Sequence, residues 1–207
     1  MDDSKILSDL NVSRETFSSL REFIGLLGEW NKKINLVSRN SLNDVWSRHI
    51  DDSAQLWYYL PKNPKRCVDL GSGAGFPGLI LALLAKEKNP GLTVILVDAN
   101  RRKCAFLEDA SRVLRVNVEV IPERIENLTP LKADILSARA LTSTKELLLY
   151  LEKHGKQRCR ALFLKGKNIK TELREISNLN DYCIEIFPSY LAGGGSILQV
   201  EKRKSRD

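Results

Sequence analysis

The chain holds little of what would mark a secreted, metal-built or membrane protein. Its four cysteines, Cys67, Cys104, Cys159 and Cys183, form no Cys-x-x-Cys pair and have no histidine at ligand spacing. That argues against a disulfide framework and against a zinc site, and points to a reducing, cytoplasmic setting. No apolar run approaches the roughly 20 residues of a membrane span. The N-terminus, Met-Asp-Asp-Ser-Lys, is acidic where a secretory leader is basic. There are no internal repeats and no low-complexity tracts. At 207 residues with 43% hydrophobic side chains, one domain with a proper core is expected.

What is present is concentrated in one segment. Cys67 to Leu70 is an apolar strand that carries an acid, Asp69, and runs into Gly71-Ser-Gly73-Ala-Gly75-Phe76-Pro77-Gly78. Glycines allow a sharp turn and let a ligand lie against bare peptide. Pro77 suits the first position of a helix, where its missing N–H is not needed, and Leu79 to Ala85 reads as that helix, buried. The dinucleotide pattern Gly-x-Gly-x-x-Gly fits as Gly73-x-Gly75-x-x-Gly78, so a nicotinamide cofactor stays formally open. The tighter reading, Asp69-x-Gly71-x-Gly73-x-Gly75, resembles motif I of the class I S-adenosylmethionine (AdoMet) methyltransferases. In that class the strand-end acid faces the methionine ammonium. A second apolar strand, Thr93 to Val97, ends in Asp98, 27 residues after Gly71, where an acid accepts hydrogen bonds from ribose hydroxyls in either cofactor class.

The rest is organised around that unit. Ser13 caps a helix to about Asn31, with Phe17, Leu20, Phe23, Ile24, Leu27 and Trp30 on its apolar side. Trp46, Ile50 and Leu56 to Leu60 suggest further helices before Pro61. Residues 1–62 then read as a helical N-terminal cap and 63–207 as the catalytic core of a single domain. Strands at Asn117 to Ile121, Ala133 to Ser137 and Ala161 to Lys165 alternate with a short turn from Glu123 and helices from about Thr144 and over Thr171 to Ile176. Alternation implies an α/β fold with a mostly parallel sheet and helices on both faces. Tyr182 to Phe187 and Ser196 to Glu201 follow as a hairpin-like pair, joined through Gly193-Gly194-Gly195.

Charge is spread unevenly. Residues 1–60 hold seven basic against nine acidic side chains, 61–150 fourteen against ten, and 151–207 twelve against seven. A basic catalytic half suits a polyanionic substrate. The segment after the fourth strand, Leu136-Ser137-Ala138-Arg139-Ala140-Leu141, has no Pro-Pro-aromatic run of the amino-directed nucleic-acid enzymes, and no cysteine follows a proline as carbon-5 pyrimidine chemistry wants. An aromatic nitrogen such as guanine N7 needs neither base nor nucleophile, only alignment. An arginine at that rim, Arg139, suits the guanine O6 edge, or equally cofactor or phosphate.

Several ordered pieces then coincide: Trp30-Asn-Lys-Lys-Ile-Asn35-Leu-Val-Ser38, Arg48-His49-Ile-Asp-Asp52-Ser53, the Val68-to-Gly78 loop, Leu96-Val-Asp98, Arg101-Arg102-Lys103, Arg124-Ile125-Glu126, Ser137-Ala-Arg139-Ala and Leu164-Lys165-Gly166. With them the chain resembles the bacterial 16S ribosomal RNA guanine-N7 methyltransferases, the glucose-inhibited division protein B family. The resemblance implies the Rossmann-like class I fold with seven strands, AdoMet as cofactor, 16S rRNA in the small ribosomal subunit or its precursor as substrate, no metal, and a monomer. It places Gly71 and Phe76 on AdoMet, Asp98 on the ribose, Ile125 and Glu126 beside the adenine, and Arg139 at the cofactor–substrate junction. Arg101, Arg102, Lys103, Arg124 and Lys165 become RNA contacts. Ala138 between Ser137 and Arg139 departs from the family's Ser-Arg-Ala, which puts the register at that strand end in question. Gly195-Ser196 stands where many members of the family carry a basic residue, so that one RNA contact is either missing or supplied by Lys202 or Arg203. His49 reads as a packed structural histidine, and Asn31, Asn35, Arg48, Asp52 and Ser53 as a polar network tying the N-terminal segment to the cofactor lip, for structure or for substrate gating alike. A methyltransferase for a small molecule or protein, or a non-catalytic rRNA-binding module, are the competing readings.

Overall fold

The computed structural model describes residues 4–190 and 195–203; Gly193, Gly194 and the end of the basic tail lie outside them. Helices α1 (Lys5–Asp9), α2 (Arg14–Asn31) and α3 (Arg39–Asn43) come first. Ser4, Ser13 and Ser38 cap them, each side chain accepting a backbone N–H three residues on. A π-helical turn Trp46–Asp51, the short α4 (Asp52–Ala54) and a 3₁₀ turn Gln55–Tyr59 lead to the sheet.

The core then alternates: β1 (Arg66–Leu70), α5 (Gly78–Lys88), β2 (Thr93–Val97), α6 (Arg101–Leu114), β3 (Val118–Ile121), β4 (Ala133–Arg139), α7 (Thr144–His154), β5 (Gly155–Lys165), α8 (Ile169–Arg174), β6 (Tyr182–Pro188) and β7 (Ser196–Lys202). The seven strands lie in the order β3-β2-β1-β4-β5-β7-β6. β1 to β5 are parallel, and β7 runs antiparallel between β5 and β6. The order reverses between β1 and β4, so a crevice opens at their carboxyl ends.

Strand alternation assigns the two faces. Ile135, Leu162 and Leu164 join the core beneath α2, α5 and α6, whereas Leu136, Ala138 and Phe163 join the core beneath α7 and α8. α5 is buried from Gly78 through Ala85, as an apolar helix pressed between sheet and N-terminal segment must be. Phe23 of α2 is the link between that segment and the rest, meeting Phe76 edge-on at 5.7 Å and Phe106 at 6.2 Å. Phe23→Ala is expected to destabilise the chain by about 3–5 kcal/mol; a urea midpoint close to the wild-type one would contradict it.

Several boundaries differ from the sequence reading, β4 among them, which runs on to Arg139. Pro77 precedes the helix rather than opening it, as the N-cap of α5. β5 begins six residues earlier than the apolar pattern shows, because Lys156-Gln157-Arg158 is an exposed stretch with no alternation to read. α8 lies two residues earlier than expected.

Candidate active site

Two hollows meet at the carboxyl end of β1. The first, about 440 Å³, is lined by Gly71, Asp98, Ile125, Glu126, Leu141 and Tyr150 among others. The second, about 450 Å³, is lined by Gly73, Phe76, His49, Asp52, Arg139 and neighbours. Gly71, Lys103 and Ala140 border both.

The loop between β1 and α5 makes this possible. Gly71, Gly73 and Gly75 have φ of +65°, +56° and +84°, a region open to glycine and strained for other residues. At Gly71 an added Cβ would stand 2.4 Å from Leu141 Cδ1, so the missing side chain is part of the space. Asp98 at the end of β2 anchors the loop, its carboxylate accepting from Gly73 N at 2.9 Å and Asn100 N at 2.8 Å. Asn100 in turn caps α6 through Arg102 N and Lys103 N. At the far wall the Tyr150 hydroxyl donates to the Glu126 and Glu146 carboxylates, and Thr142 donates to Glu146. The Tyr150 bond holds the Glu126 carboxyl below its usual range.

Asp69 is placed otherwise than its motif suggests. It is fully buried, with one carboxylate oxygen accepting from Ser137 Oγ at 2.7 Å and the other from Gly78 N at 3.2 Å. It lines neither hollow. Its carboxylate fastens β1 to β4 and to the start of α5, instead of facing a ligand ammonium. Burial pushes its pKa up to about 6, against the pull of those hydrogen bonds and of Arg139. A folded-state value above the unfolded one makes the native state bind the proton more tightly, so this group's stabilisation is present at low pH and lost as pH rises through about 6. Asp69→Asn keeps both hydrogen bonds, its amide donating to Ser137 Oγ and its carbonyl accepting from Gly78 N. The variant is expected to gain stability relative to wild type between pH 5 and 8, by on the order of 1.5 kcal/mol. Melting curves at the two pH values check it, and an unchanged difference would rule it out.

Arg139 is the last residue of β4, and strand period puts it on the same face as Ser137. The intervening Ala138 thus settles the register: it turns into the α7 side, and Arg139 turns toward the N-terminal segment. Its Nη1 donates to Arg48 O at 3.1 Å and lies 2.6 Å from His49 Nδ1, with Asp52 Oδ2 at 4.0 Å. Its Cζ stands 5.2 Å from the centre of the Phe76 ring. Burial lowers its pKa, and Asp52 and Asp69 oppose the shift. Phe76 accordingly borders the second hollow rather than the first.

The basic residues separate into two groups. Lys103 borders both hollows, Arg124 borders the first, and Arg101 and Arg102 are exposed at the opening of α6. Lys165 is not at the site. It is 10% exposed, paired with Glu172 at 2.8 Å and donating to Thr142 O at 3.2 Å, so its charge is spent on holding the β4–α7 connection. Lys202 and Arg203 sit at the far end of β7, which runs antiparallel, away from the crevice. They bond to the Glu152 and Tyr182 carbonyls respectively. The expected polar network also divides: Asn31 braces residues 36 and 37, Ser53 donates back to His49 O, and Asp52 turns to Gln55 and Ser189. Sequence reasoning missed Tyr150, Glu146 and the His49–Arg139 contact; the Glu146-x-x-x-Tyr150 spacing on one face of α7 was the available signal for the first two.

The donor set suits AdoMet. A cofactor with ribose, adenine and cationic sulfur finds a bare glycine turn, a buried carboxylate at the end of β2, and a wall richer in carboxylates (Glu123, Glu126, Glu146) than in cations. Among the described residues no cluster of three or more His, Cys, Asp or Glu is placed to hold a metal ion, and no helix is long and apolar enough to cross a membrane.

Fold and loop together define a class I methyltransferase. The family model described as rRNA small subunit methyltransferase G matches residues 16–187. A Ruegeria pomeroyi protein named ribosomal RNA small subunit methyltransferase G is 53% identical over 92% of this chain and 93% of its own length. Its namesake from Gluconobacter oxydans is 44% identical over 93% and 97%. The chain belongs to this rRNA small subunit methyltransferase G family, also called GidB. Among solved structures, the ribosomal protein L11 methylase of Lactobacillus delbrueckii subsp. bulgaricus superposes with TM-score 0.57 at 17% identity, covering 74% of this chain and 78% of that one. The M. jannaschii TYW2 protein, solved with AdoMet, gives 0.55 at 18% identity over 76% and 78%. These two share the fold.

Proposed function

We propose that the protein transfers the methyl group of AdoMet to N7 of one guanine in the decoding-region loop of 16S rRNA, within the small ribosomal subunit or its precursor. The observation that carries this is the meeting of two hollows at Gly71, one with an acidic wall and the other with Arg139 on its rim. Bound AdoMet supplies a methyl group on a cationic sulfur, electrophilic enough for a ring nitrogen to attack. Asp98 and the glycine backbone hold the ribose and methionine portions, and Ile125 with Glu126 hold the adenine. The target guanine enters the second hollow with its N7/O6 edge toward Gly71, and an Arg139 N–H donates to O6. The N7 lone pair lies in the ring plane, so no proton is removed and no base is required. His49 supports that reading, since its pKa of about 3 and its buried ring keep it neutral. Lys103, Arg101, Arg102 and Arg124 ring the mouth and take the phosphates on either side of an extruded nucleotide.

We further propose that the chain works as a cytoplasmic monomer without a metal, residues 1–62 capping the 63–207 core. Support comes from the single, scattered exposed apolar side chains, Tyr58, Leu149, Ile186 and Tyr190.

The test is incubation with methyl-labelled AdoMet and small subunits that lack the modification. Label confined to one 7-methylguanosine of the rRNA is the expected result. Label in another nucleoside, or in protein, would replace the substrate assignment.

A further inference from the structure

His49 and Arg139 lie 90 positions apart in sequence yet make a close polar contact at the second hollow, Nδ1 to Nη1 at 2.6 Å. The imidazole stacks on Phe76, with centroids 4.8 Å apart and 16° between the planes, and the guanidinium rests against the same ring at 5.2 Å. A guanidinium carries only donors. At this distance Nδ1 must therefore be an acceptor, which leaves the ring proton on Nε2. Nε2 is itself buried with no hydrogen-bond partner in the protein. The groups facing this ring agree with a neutral imidazole. Burial, then the Arg139 and Arg48 cations, pull its pKa down to about 3 against a smaller push from Asp44. Asp52, at 4.0 Å from Nη1, faces the guanidinium with one oxygen, while its other accepts from Gln55 Nε2 at 2.7 Å and Ser189 Oγ at 2.9 Å. Asp52 thus supplies charge at a distance, and the direct side-chain hydrogen bond comes from His49.

We propose that His49 is the positioning residue for Arg139: its unprotonated Nδ1 holds the guanidinium over Phe76, with the remaining N–H groups directed at the second hollow. This rests on reading that hollow as the guanine pocket. Both N–H groups of Nη1 are used, one by the imidazole and one by Arg48 O, so Nη2 and Nε keep donors for the base edge in a fixed plane. A loose arginine would have to be ordered anew at each encounter, and misplacement of about 1 Å already costs on the order of 100-fold in rate.

Two substitutions separate positioning from packing. His49→Leu keeps the bulk against Phe76 and removes the acceptor; His49→Asn places an amide oxygen near the Nδ1 position. His49→Leu is expected to slow single-turnover methyl transfer by roughly 10- to 100-fold, with AdoMet affinity and melting temperature close to wild type. His49→Asn should recover most of the rate. In an Arg139→Ala background His49→Leu should add almost nothing, since the two act as one unit. A readout free of activity comes from nitrogen NMR of histidine-labelled protein, in which the only other imidazole is His154. The His49 ring is expected to stay neutral with its proton on Nε2 from roughly pH 5.5 to 8, and its Nδ1 signal to move on Arg139→Ala. A proton on Nδ1, an ordinary titration near pH 6.5, a wild-type rate for His49→Leu, or equal losses of AdoMet binding and stability would each overturn the proposal. If wild-type protein leaves rRNA unlabelled, the guanine assignment fails instead, and the NMR result still decides the contact.

Discussion

Arg139→Ala is expected to lower methyl transfer to small subunits by roughly 10²- to 10³-fold, the size of effect seen when one preorganised donor is removed from a reacting edge. The fold should hardly notice. Arg139 ends β4 and its side chain lies outside both apolar cores. Its loss leaves Phe76 stacked on His49, and Asp52 still bonded to Gln55 and Ser189. A melting temperature within about 5 °C of wild type follows for a chain of this size. Arg139→Lys should recover little of the rate, since a single ammonium on a flexible stem cannot meet the imidazole and Arg48 O while presenting a donor to O6 in a fixed plane. Single-turnover assays on subunits lacking the modification measure both. An Arg139→Ala enzyme running at wild-type rate would take this residue out of the site.

Gly71→Val is expected to weaken AdoMet binding by at least ~100-fold in a chain that still folds. Two effects add. A β-branched residue at φ +65° is strained by roughly 1–3 kcal/mol. Its Cβ would also stand 2.4 Å from Leu141 Cδ1. That atom is the far end of a mobile side chain, so the fold can yield, but Leu141 lines the first hollow, and yielding disturbs the space the cofactor needs. Gly73 is the milder position, because an added Cβ there meets nothing nearer than Gly71 O at 3.7 Å. Calorimetric titration of AdoMet into both variants should therefore rank Gly71→Val well below Gly73→Ala. The opposite ranking would mean that the cofactor does not lie along Gly71.

Much of the architecture was legible because its signals are local. Thr93–Val97 is a run of apolar, mainly β-branched residues and is the whole of β2, and Ser13 caps α2 where the apolar spacing begins. The hairpin of β6 and β7 was readable from two apolar stretches with no helix between them. The start of β5 was not, because its first residues are polar and exposed and show no alternation. The π-helical turn Trp46–Asp51 was also beyond a pattern built on 3.6 residues per turn. At the site, the glycine loop and the acid after β2 stand out as spacing. Asp69 does not, since its spacing is the same whether its carboxylate faces a ligand or is enclosed by Ser137 and Gly78. Lys165 carries the charge expected of an RNA contact and has it cancelled by Glu172, which lies beside it only after α8 has packed. The pairing of His49 with Arg139 belongs to tertiary structure altogether.

The strand order has a consequence for how the protein is made. β7 is the last strand to be synthesised, yet it lies inside the sheet, between β5 and β6. Until it emerges, β6 has no partner strand and the free edge of β5 is open. Ser189 and Tyr190, which meet Asp52 and Gln55 behind Arg139, are held in place by the same hairpin. At roughly 5–20 residues per second, the sheet stays incomplete until β7 has been made. Competence for methyl transfer therefore arrives as a late event, when the final strand slots into a gap that the earlier elements have already framed.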